Sequence, residues 1–389
     1  MQNDIYVERQ IHNKFVKIAK AYPVIALVGA RQAGKTTFLK KHLDGATYVL
    51  FDDPDARELF EEDIKKFEIQ YVNQLTVLDE VHYCNDAGRK LKYLADKGKQ
   101  LWITSSSELI LQKEVLSYLV GRVSILRLYP FSLQEFLEAK QLRSLSYKIL
   151  KRAVWEHMTY GGYPKAVLTE DTELKETILK DLYETMILKD IARTFSIEDI
   201  DSLEKFVRYL AINTSSLITY NKIADIVKIS HQTIKKYLDA MEKNHLLVRV
   251  YPFFNNKNKE ITKQPKVYFL DTGLRNAIVK TFKSNAEGLV FENYVLSELI
   301  KKGCEVKFWR TKSKAEVDFV VERKDEIIPV EVKLTSSKIS RSLQTFIRTY
   351  RPKRCFVVNY EGKERIVNFE DTTIEFLDIK SLLEHESFQ

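Results

Sequence analysis

Cysteine is scarce in this chain. Cys84, Cys304 and Cys355 are far apart and odd in number, and no two of them stand at a metal-type spacing. Long apolar runs are missing too. No stretch approaches the roughly eighteen apolar residues of a membrane-spanning helix, and the start Met1-Gln-Asn-Asp4 lacks a signal-peptide core. A reducing cytoplasmic setting with no membrane partner is the expectation. Acidic residues are absent from Ser336 to Arg354, where six Arg/Lys stand, and Lys222 to Lys266 holds ten Lys/Arg against four Asp/Glu. The net charge of +8 is therefore concentrated in the C-terminal half, which favours a polyanionic partner.

What is present reads as globular. A chain of 389 residues, 44% hydrophobic and 30% charged, has room for roughly two or three domains with their own cores. Val24-Ile-Ala-Leu-Val28 has the pattern of a buried parallel strand, and Gly29-x-x-x-x-Gly34-Lys35-Thr36 follows it and opens helix-forming sequence. This is a P-loop in the context the pattern needs. Gly29, Ala30, Arg31, Gln32, Ala33, Gly34, Lys35, Thr36 and Thr37 would line a nucleoside triphosphate, with backbone N–H groups around the anion. Lys35 would reach the β- and γ-phosphates, and the Thr36 hydroxyl would sit on Mg²⁺.

Leu75-Thr-Val-Leu-Asp79-Glu80 is an apolar strand ending in two carboxylates, the form of a Walker B strand. Asp79 would hold the Mg²⁺ shell and Glu80 would polarise the attacking water. The next strand, Leu101–Thr104, runs into Ser105-Ser-Ser107; Thr104 and Ser106 are candidates to sense the γ-phosphate, against a turn that only caps a helix. Arg122, before another apolar strand, is the candidate transition-state arginine, against a structural salt bridge; Arg127 is the weaker choice. No Asn-Lys-x-Asp guanine-reading signature stands near the end of this region, so ATP is favoured over GTP.

Gly29–Thr37, Leu78-Asp-Glu-Val-His82, Gly121-Arg-Val123, Leu128-Tyr-Pro-Phe-Ser-Leu-Gln-Glu-Phe136, Gly161-Gly-Tyr-Pro164 and Lys266-Val-Tyr-Phe-Leu-Asp-Thr-Gly-Leu274 together resemble a large bacterial and archaeal AAA-type ATPase family. In that family a C-terminal region long labelled as of unknown function follows the ATPase. One departure is Ser105, where the family more often has glycine. The resemblance implies an α/β fold: a P-loop NTPase parallel sheet with a helical lid, a winged helix-turn-helix and a nuclease-like C-terminal domain. The boundaries are drawn at 1–135 for the ATPase core, 136–210 for the lid, 211–272 for the winged helix and 273–389 for the last domain.

Residues 133 to 210 are helical in character except for a rigid turn at Gly161–Pro164, and Asp190 and Arg193 stand at the spacing of an intrahelical ion pair. Asn221 and Ser230 are placed to cap two short helices, followed by strands Leu246–Tyr251 and Lys266–Leu270. That order is a DNA-binding architecture that also serves protein contacts. His231, Gln232, Lys235 and Lys236 would face a groove, and Lys257 and Lys259 would touch phosphate.

In the C-terminal part a helix bearing Glu292 precedes strands 315–322 and 327–335, joined by a hairpin turn over 323–326. A hairpin centred between Lys324 and Asp325 sets Asp318 across from Glu331 and Glu316 across from Lys333. Facing carboxylates repel unless a cation lies between them, and a divalent metal would serve. The order resembles the PD-(D/E)XK nuclease fold. That resemblance implies Asp318 and Glu331 as Mg²⁺ or Mn²⁺ ligands, Lys333 as catalytic lysine and Glu292 as accessory acid; the alternative is an exposed, ion-paired hairpin. Lys338, Arg341, Arg348, Arg351, Lys353 and Arg354 lie downstream to grip a phosphate backbone.

The function expected is ATP hydrolysis coupled to nucleic-acid engagement, DNA favoured, with metal-dependent cleavage open. The rivals are an ATP-controlled DNA-binding switch with a dead nuclease site and a protein-remodelling or signalling ATPase. An arginine supplied in trans would require a homo-oligomer.

Overall fold

Five consecutive apolar residues, Val24–Val28, form β1, and all five are buried. A strand can be apolar on both faces only where both are covered. Ala26 and Val28 pack with Phe51, Phe60, Phe67 and Leu91 on one face, while Ile25 and Leu27 pack with Phe15, Phe38 and Trp102 on the other. The computed structural model describes residues 6–388 apart from 43–44, 107, 109–110, 143–145, 255–259, 261–262, 283–285 and 324–325. Ser107, the phosphate contacts expected of Lys257 and Lys259, and the turn expected at Lys324–Asp325 lie outside the described residues.

β1 sits in a five-stranded sheet of order β2-β3-β4-β1-β5. Its partners are β2 Thr47–Leu50, β3 Leu75–Asp79, β4 Gln100–Ser105 and β5 Val123–Arg127, all pairing in parallel. The C-terminal ends of β1, β3 and β4 therefore share one edge, where Gly29, Asp79, Glu80, Thr104 and Ser106 emerge.

Helices Tyr147–Tyr160, Pro164–Leu168, Thr172–Asp181, Leu188–Thr194 and Ile200–Ile212 follow, as the helical reading of this stretch requires. Next come helices Tyr220–Val227 and His231–Lys243 and a three-stranded sheet of order β6-β8-β7, with β6 Ser216–Leu217, β7 Leu247–Val250 and β8 Lys266–Phe269. Ser230 caps its helix by accepting from the Thr233 N–H at 3.1 Å. Asn221 does not cap: the first helix starts one residue earlier, with Thr219 at its N-cap.

The last sheet is six-stranded, ordered β13-β14-β12-β11-β10-β9: β9 Val306–Arg310, β10 Glu316–Arg323, β11 Glu326–Lys333, β12 Arg354–Asn359, β13 Arg365–Phe369 and β14 Thr372–Leu377. Helix Gly288–Lys301 covers one face and Arg341–Tyr350 the other, with Phe291 and Leu296 in one core and Phe346 and Ile347 in the second. Among the described residues no helix is long and apolar enough to cross a membrane.

Candidate nucleotide site and C-terminal carboxylate cluster

Gly34 precedes the helix Lys35–Lys41 with φ 98°, a conformation that favours glycine and turns the loop into the helix. Lys35 is buried, and its Nζ donates to the carbonyls of Gly29 at 2.9 Å and Ala30 at 3.1 Å, so it arches back across the loop it is expected to serve. Burial lowers its pKa, and the charges of Glu80 and Asp79 oppose that.

Asp79 is the hub of the site. Its carboxylate accepts from the hydroxyls of Thr36 at 2.8 Å, Tyr48 and Thr104. Thr36 and Asp79 are thus adjacent hard oxygen donors, the type Mg²⁺ takes, and the donor set fits that ion. The middle strand β4 brings Thr104 between Asp79 and Glu80, whose N–H donates to Thr104 Oγ1 at 2.8 Å.

Glu80 has φ 59°, left-handed backbone that is uncommon outside glycine and concentrates at functional sites. Its carboxylate accepts from the Ser106 N–H at 3.1 Å and lies 3.0 Å from His82 Nδ1. Burial would raise its pKa, but His82, Lys35 and the Ser106 N–H outweigh that and hold it at about 2. Glu80 is therefore ionised but a poor proton acceptor while it stays on His82.

Arg122 is placed away from the loop of its own chain. It lies just ahead of β5, where its carbonyl accepts from the Val24 N–H at 3.1 Å, at the sheet edge opposite the P-loop. Its guanidinium pairs with Asp96 at 2.6 Å, so it cannot serve its own chain's phosphate site. Arg127 pairs with Glu108, also at 2.6 Å.

Three further residues make long-range contacts that the sequence did not predict. Buried Arg9 donates to the carbonyls of Ala33 at 2.9 Å and Tyr129 at 2.5 Å and pairs with Glu135 at 3.1 Å, strapping the N-terminal segment over the loop. Asp190 forms no ion pair with Arg193 in this structure. It binds Arg31 of the P-loop through two contacts, Nε–Oδ2 at 3.2 Å and Nη1–Oδ1 at 3.3 Å, while Arg193 lies over the Tyr83 ring. Asp271 is buried and accepts from the Gly162 N–H at 2.7 Å and the Leu274 N–H at 2.8 Å. Gly161 beside it has φ 72°, and a Cβ there would stand 2.0 Å from Asp271 Oδ1. The Gly161–Pro164 turn is thereby locked to the chain's second half. Its motif was visible in sequence; its partner was not.

The carboxyl-terminal acids gather differently from the expected arrangement. The β10–β11 ladder has the expected register, Phe319↔Val330 through Arg323↔Glu326. It stops one step short of Asp318, whose carboxylate instead accepts from the Val332 N–H at 2.7 Å. Lys333 lies 3.1 Å from Glu331 and 3.4 Å from Asp318, so it fills the place between the two carboxylates. Glu316 does not face Lys333; it pairs with Arg310 at 3.0 Å and with Lys266 of β8 at 2.6 Å. Lys266 also meets Glu292 at 3.2 Å, and Tyr268 donates to Glu292 at 2.7 Å. Among the described residues Glu292, Asp318 and Glu331 do not bring three ligand atoms within 4.8 Å of one another. Lys266 and Lys333 are the cations that stand against these acids. Burial raises the pKa of Glu331, and burial with Asp318 nearby lifts Glu292 to about 7.

Helix His231–Lys243 exposes His231, Gln232, Lys235 and Lys236 as its apolar spacing requires, with Ile234, Tyr237 and Leu238 inward. Its far end returns to the N-terminal part of the chain: Lys243 donates to Gln112 at 3.2 Å, and His245 lies 3.5 Å from Glu108. Of the downstream cations, Arg348, Lys353 and Arg354 pair with Glu370, Glu326 and Glu386.

An AAA domain model matches residues 21–137, the span that holds the parallel sheet and its loop. The N-terminal sheet has an AAA-type P-loop NTPase fold. Residues 151–285 and 287–382 match models described only as Domain of unknown function (DUF8612) and Domain of unknown function (DUF4143). An uncharacterized protein of Haemophilus influenzae is 28% identical over 330 residues, covering 78% of this chain and 80% of its own. Uncharacterized protein MJ1544 of Methanocaldococcus jannaschii is 26% identical over 404 residues, covering 97% of this chain and 89% of its own. Among solved structures, the Walker-type ATPase PABY2304 of Pyrococcus abyssi superposes with a TM-score of 0.48 at 15% identity, over 71% of this chain and 97% of that one. The ORC2 protein of Aeropyrum pernix follows with a TM-score of 0.42 at 9% identity, over 75% and 96%.

Proposed function

We propose that this chain is an ATP-driven switch: ATP bound and hydrolysed at the edge of the N-terminal sheet resets the helical segment behind it and so changes how the C-terminal half engages nucleic acid. The observation that carries this reading is the Arg31–Asp190 contact, which ties the phosphate loop to a helix of the lid. A triphosphate would compete with Asp190 for Arg31, so occupancy of the loop and posture of the lid are linked.

The backbone of Gly29–Thr37 would cradle the phosphates, Lys35 would swing from the Gly29 and Ala30 carbonyls onto them, and Thr36 and Asp79 would hold Mg²⁺. That ion, when bound, would neutralise charge on the β- and γ-oxygens. Glu80 would orient the attacking water once freed from His82, and Thr104 and Ser106 would report the γ-phosphate through their bonds to Glu80. Glu108 and Gln112, beyond β4, would carry that report onward, because they touch His245 and Lys243.

The segment 211–272 is read as a winged helix whose exposed His231, Gln232, Lys235 and Lys236 meet nucleic acid, and 273–389 as a PD-(D/E)XK-like domain. A cleft of about 580 Å³ is lined by Lys148, Lys151, Arg152, Trp155, Leu334 and Tyr360, with Lys151 paired to Glu361 at its wall. Cations interleaved with aromatic faces suit a single strand. A second reading, metal-dependent cleavage, is favoured by the upward shift of Glu292 and Glu331, whose buried carboxylates would welcome more positive charge. It requires Lys266 and Lys333 to yield their places to Mg²⁺ or Mn²⁺.

The test is ATP turnover measured with and without single- and double-stranded DNA, with nicking followed in the same tubes. DNA should stimulate turnover in the parent and Lys35→Ala should abolish it. ATP affinity unchanged in Lys35→Ala would remove the nucleotide reading. Nicking that is lost in Glu331→Ala would select the second reading. Absent or salt-insensitive DNA binding would instead favour a protein-remodelling role.

A further inference from the structure

One cluster lies outside everything the nucleotide site uses. Glu8 and His12, on the N-terminal segment, and His42, which closes the P-loop helix, each bring a ligand atom within 4.8 Å of the other two. His12 Nδ1 lies 2.7 Å from His42 Nε2 and 3.0 Å from Glu8 Oε1.

The tautomer of His42 follows from its other nitrogen. Nδ1 stands 2.7 Å from the Phe38 carbonyl oxygen, which only accepts, so Nδ1 carries the hydrogen and Nε2 presents a lone pair. His12 Nδ1 then has a single hydrogen to share between His42 Nε2 and Glu8 Oε1. Three electron-rich atoms converge on one proton, and a divalent cation in its place would satisfy all three.

We propose that Glu8, His12 and His42 form a binding site for a divalent metal of the zinc class, distinct from the magnesium position at Thr36 and Asp79. Two imidazoles and a carboxylate form a donor set that zinc takes with a fourth position left for water. Imidazole nitrogen discriminates against Mg²⁺ and Ca²⁺, which prefer all-oxygen shells. The Phe38 carbonyl is the outer partner that orients a metal-binding histidine, and the Phe15 and Phe38 rings, 5.5 Å and 4.6 Å from the His42 ring, hold it in place.

Zinc at about 2.05 Å from each nitrogen needs them about 3.3 Å apart in a tetrahedral shell. That is wider than the 2.7 Å seen here, and the side chains of His12 and Glu8, 35% and 49% exposed, have freedom to open. A cleft of about 720 Å³ bounded by Phe15, Ala19, Tyr22, His42 and Trp102 gives room for the outer ligand. The metal would staple the segment carrying Arg9, which grips the Ala33 carbonyl, to the far end of the P-loop helix.

Full-length protein stripped with a chelator is titrated with Zn²⁺ in competition with a chromophoric indicator, without nucleotide. The parent should bind about one zinc per chain, and His12→Ala and His42→Gln should each weaken binding at least about tenfold. Glu8→Gln should weaken it less, and Cys304→Ser should leave it unchanged. Co²⁺ substitution should give a visible spectrum free of thiolate charge transfer, and circular dichroism checks that the variants fold. Zinc bound equally by the parent and folded His12→Ala, or not bound at all, overturns the proposal.

Discussion

Replacing Asp190 by asparagine should tighten ATP binding. Asp190 holds Arg31 through two contacts of 3.2 and 3.3 Å, with the side chains 28% and 30% exposed. A partly exposed pair of this kind contributes about 1 kcal/mol, and a triphosphate that recruits Arg31 must first overcome it. Burial also raises the Asp190 pKa against the opposing pull of Arg31, so the carboxylate is poorly compensated and its removal should cost the fold little. The same negative charge faces Lys35 and would repel incoming phosphates. Both effects have one sign, and together they predict ATP binding roughly five- to tenfold tighter in Asp190→Asn, with the melting temperature near that of the parent. The assay is equilibrium titration of a fluorescent ATP analogue, with Lys35→Ala as the non-binding control. Equal or weaker affinity in a folded Asp190→Asn protein would refute the latch between loop and lid.

Glu80→Gln should keep ATP affinity while slowing turnover by about 100-fold or more, and normal single-turnover rates would remove Glu80 from the water-positioning role. Gly161→Ala should destabilise by at least about 2 kcal/mol in urea melts, because a Cβ meets Asp271 and the backbone is left-handed; an unchanged midpoint would contradict the lock. His245, held at about 4 by burial, is below its ordinary 6.5, so the unfolded chain takes up the proton first on acidification. Stability should then fall by up to about 3 kcal/mol between pH 6.5 and 4, and His245→Gln should flatten that slope in denaturant titrations. Lys266→Met would leave Glu292 and Glu316 short of their buried cation and should cost about 3–5 kcal/mol, unless added Mn²⁺ restores stability by taking its place.

The P-loop, its strand and the acidic end of β3 were legible because their signals are local. An apolar run of five, a glycine-flanked lysine and a helix start are read from neighbours in the chain, and β1 and β3 lie at the expected residues. Strand period and hairpin centre likewise predicted the β10–β11 register. Arg122 stands away from the phosphate loop of its own chain because residues just before a parallel strand and just after one lie at opposite edges of the sheet, and the loop signal does not say which edge matters.

Amino-acid order alone determined the strands that flank the phosphate loop, the β10–β11 hairpin, where phosphate would be cradled, and which acids stand ready for a cation. Only the folded chain decided which cation those acids meet. Lys266 and Lys333 come to stand against the C-terminal carboxylates, and Arg31 turns to an acid far along the chain. The physical reason is that buried charges select partners by distance in space. Arg9 to Glu135, Arg31 to Asp190 and Lys266 to Glu316 are neighbours only after the sheets and the helices between them have packed.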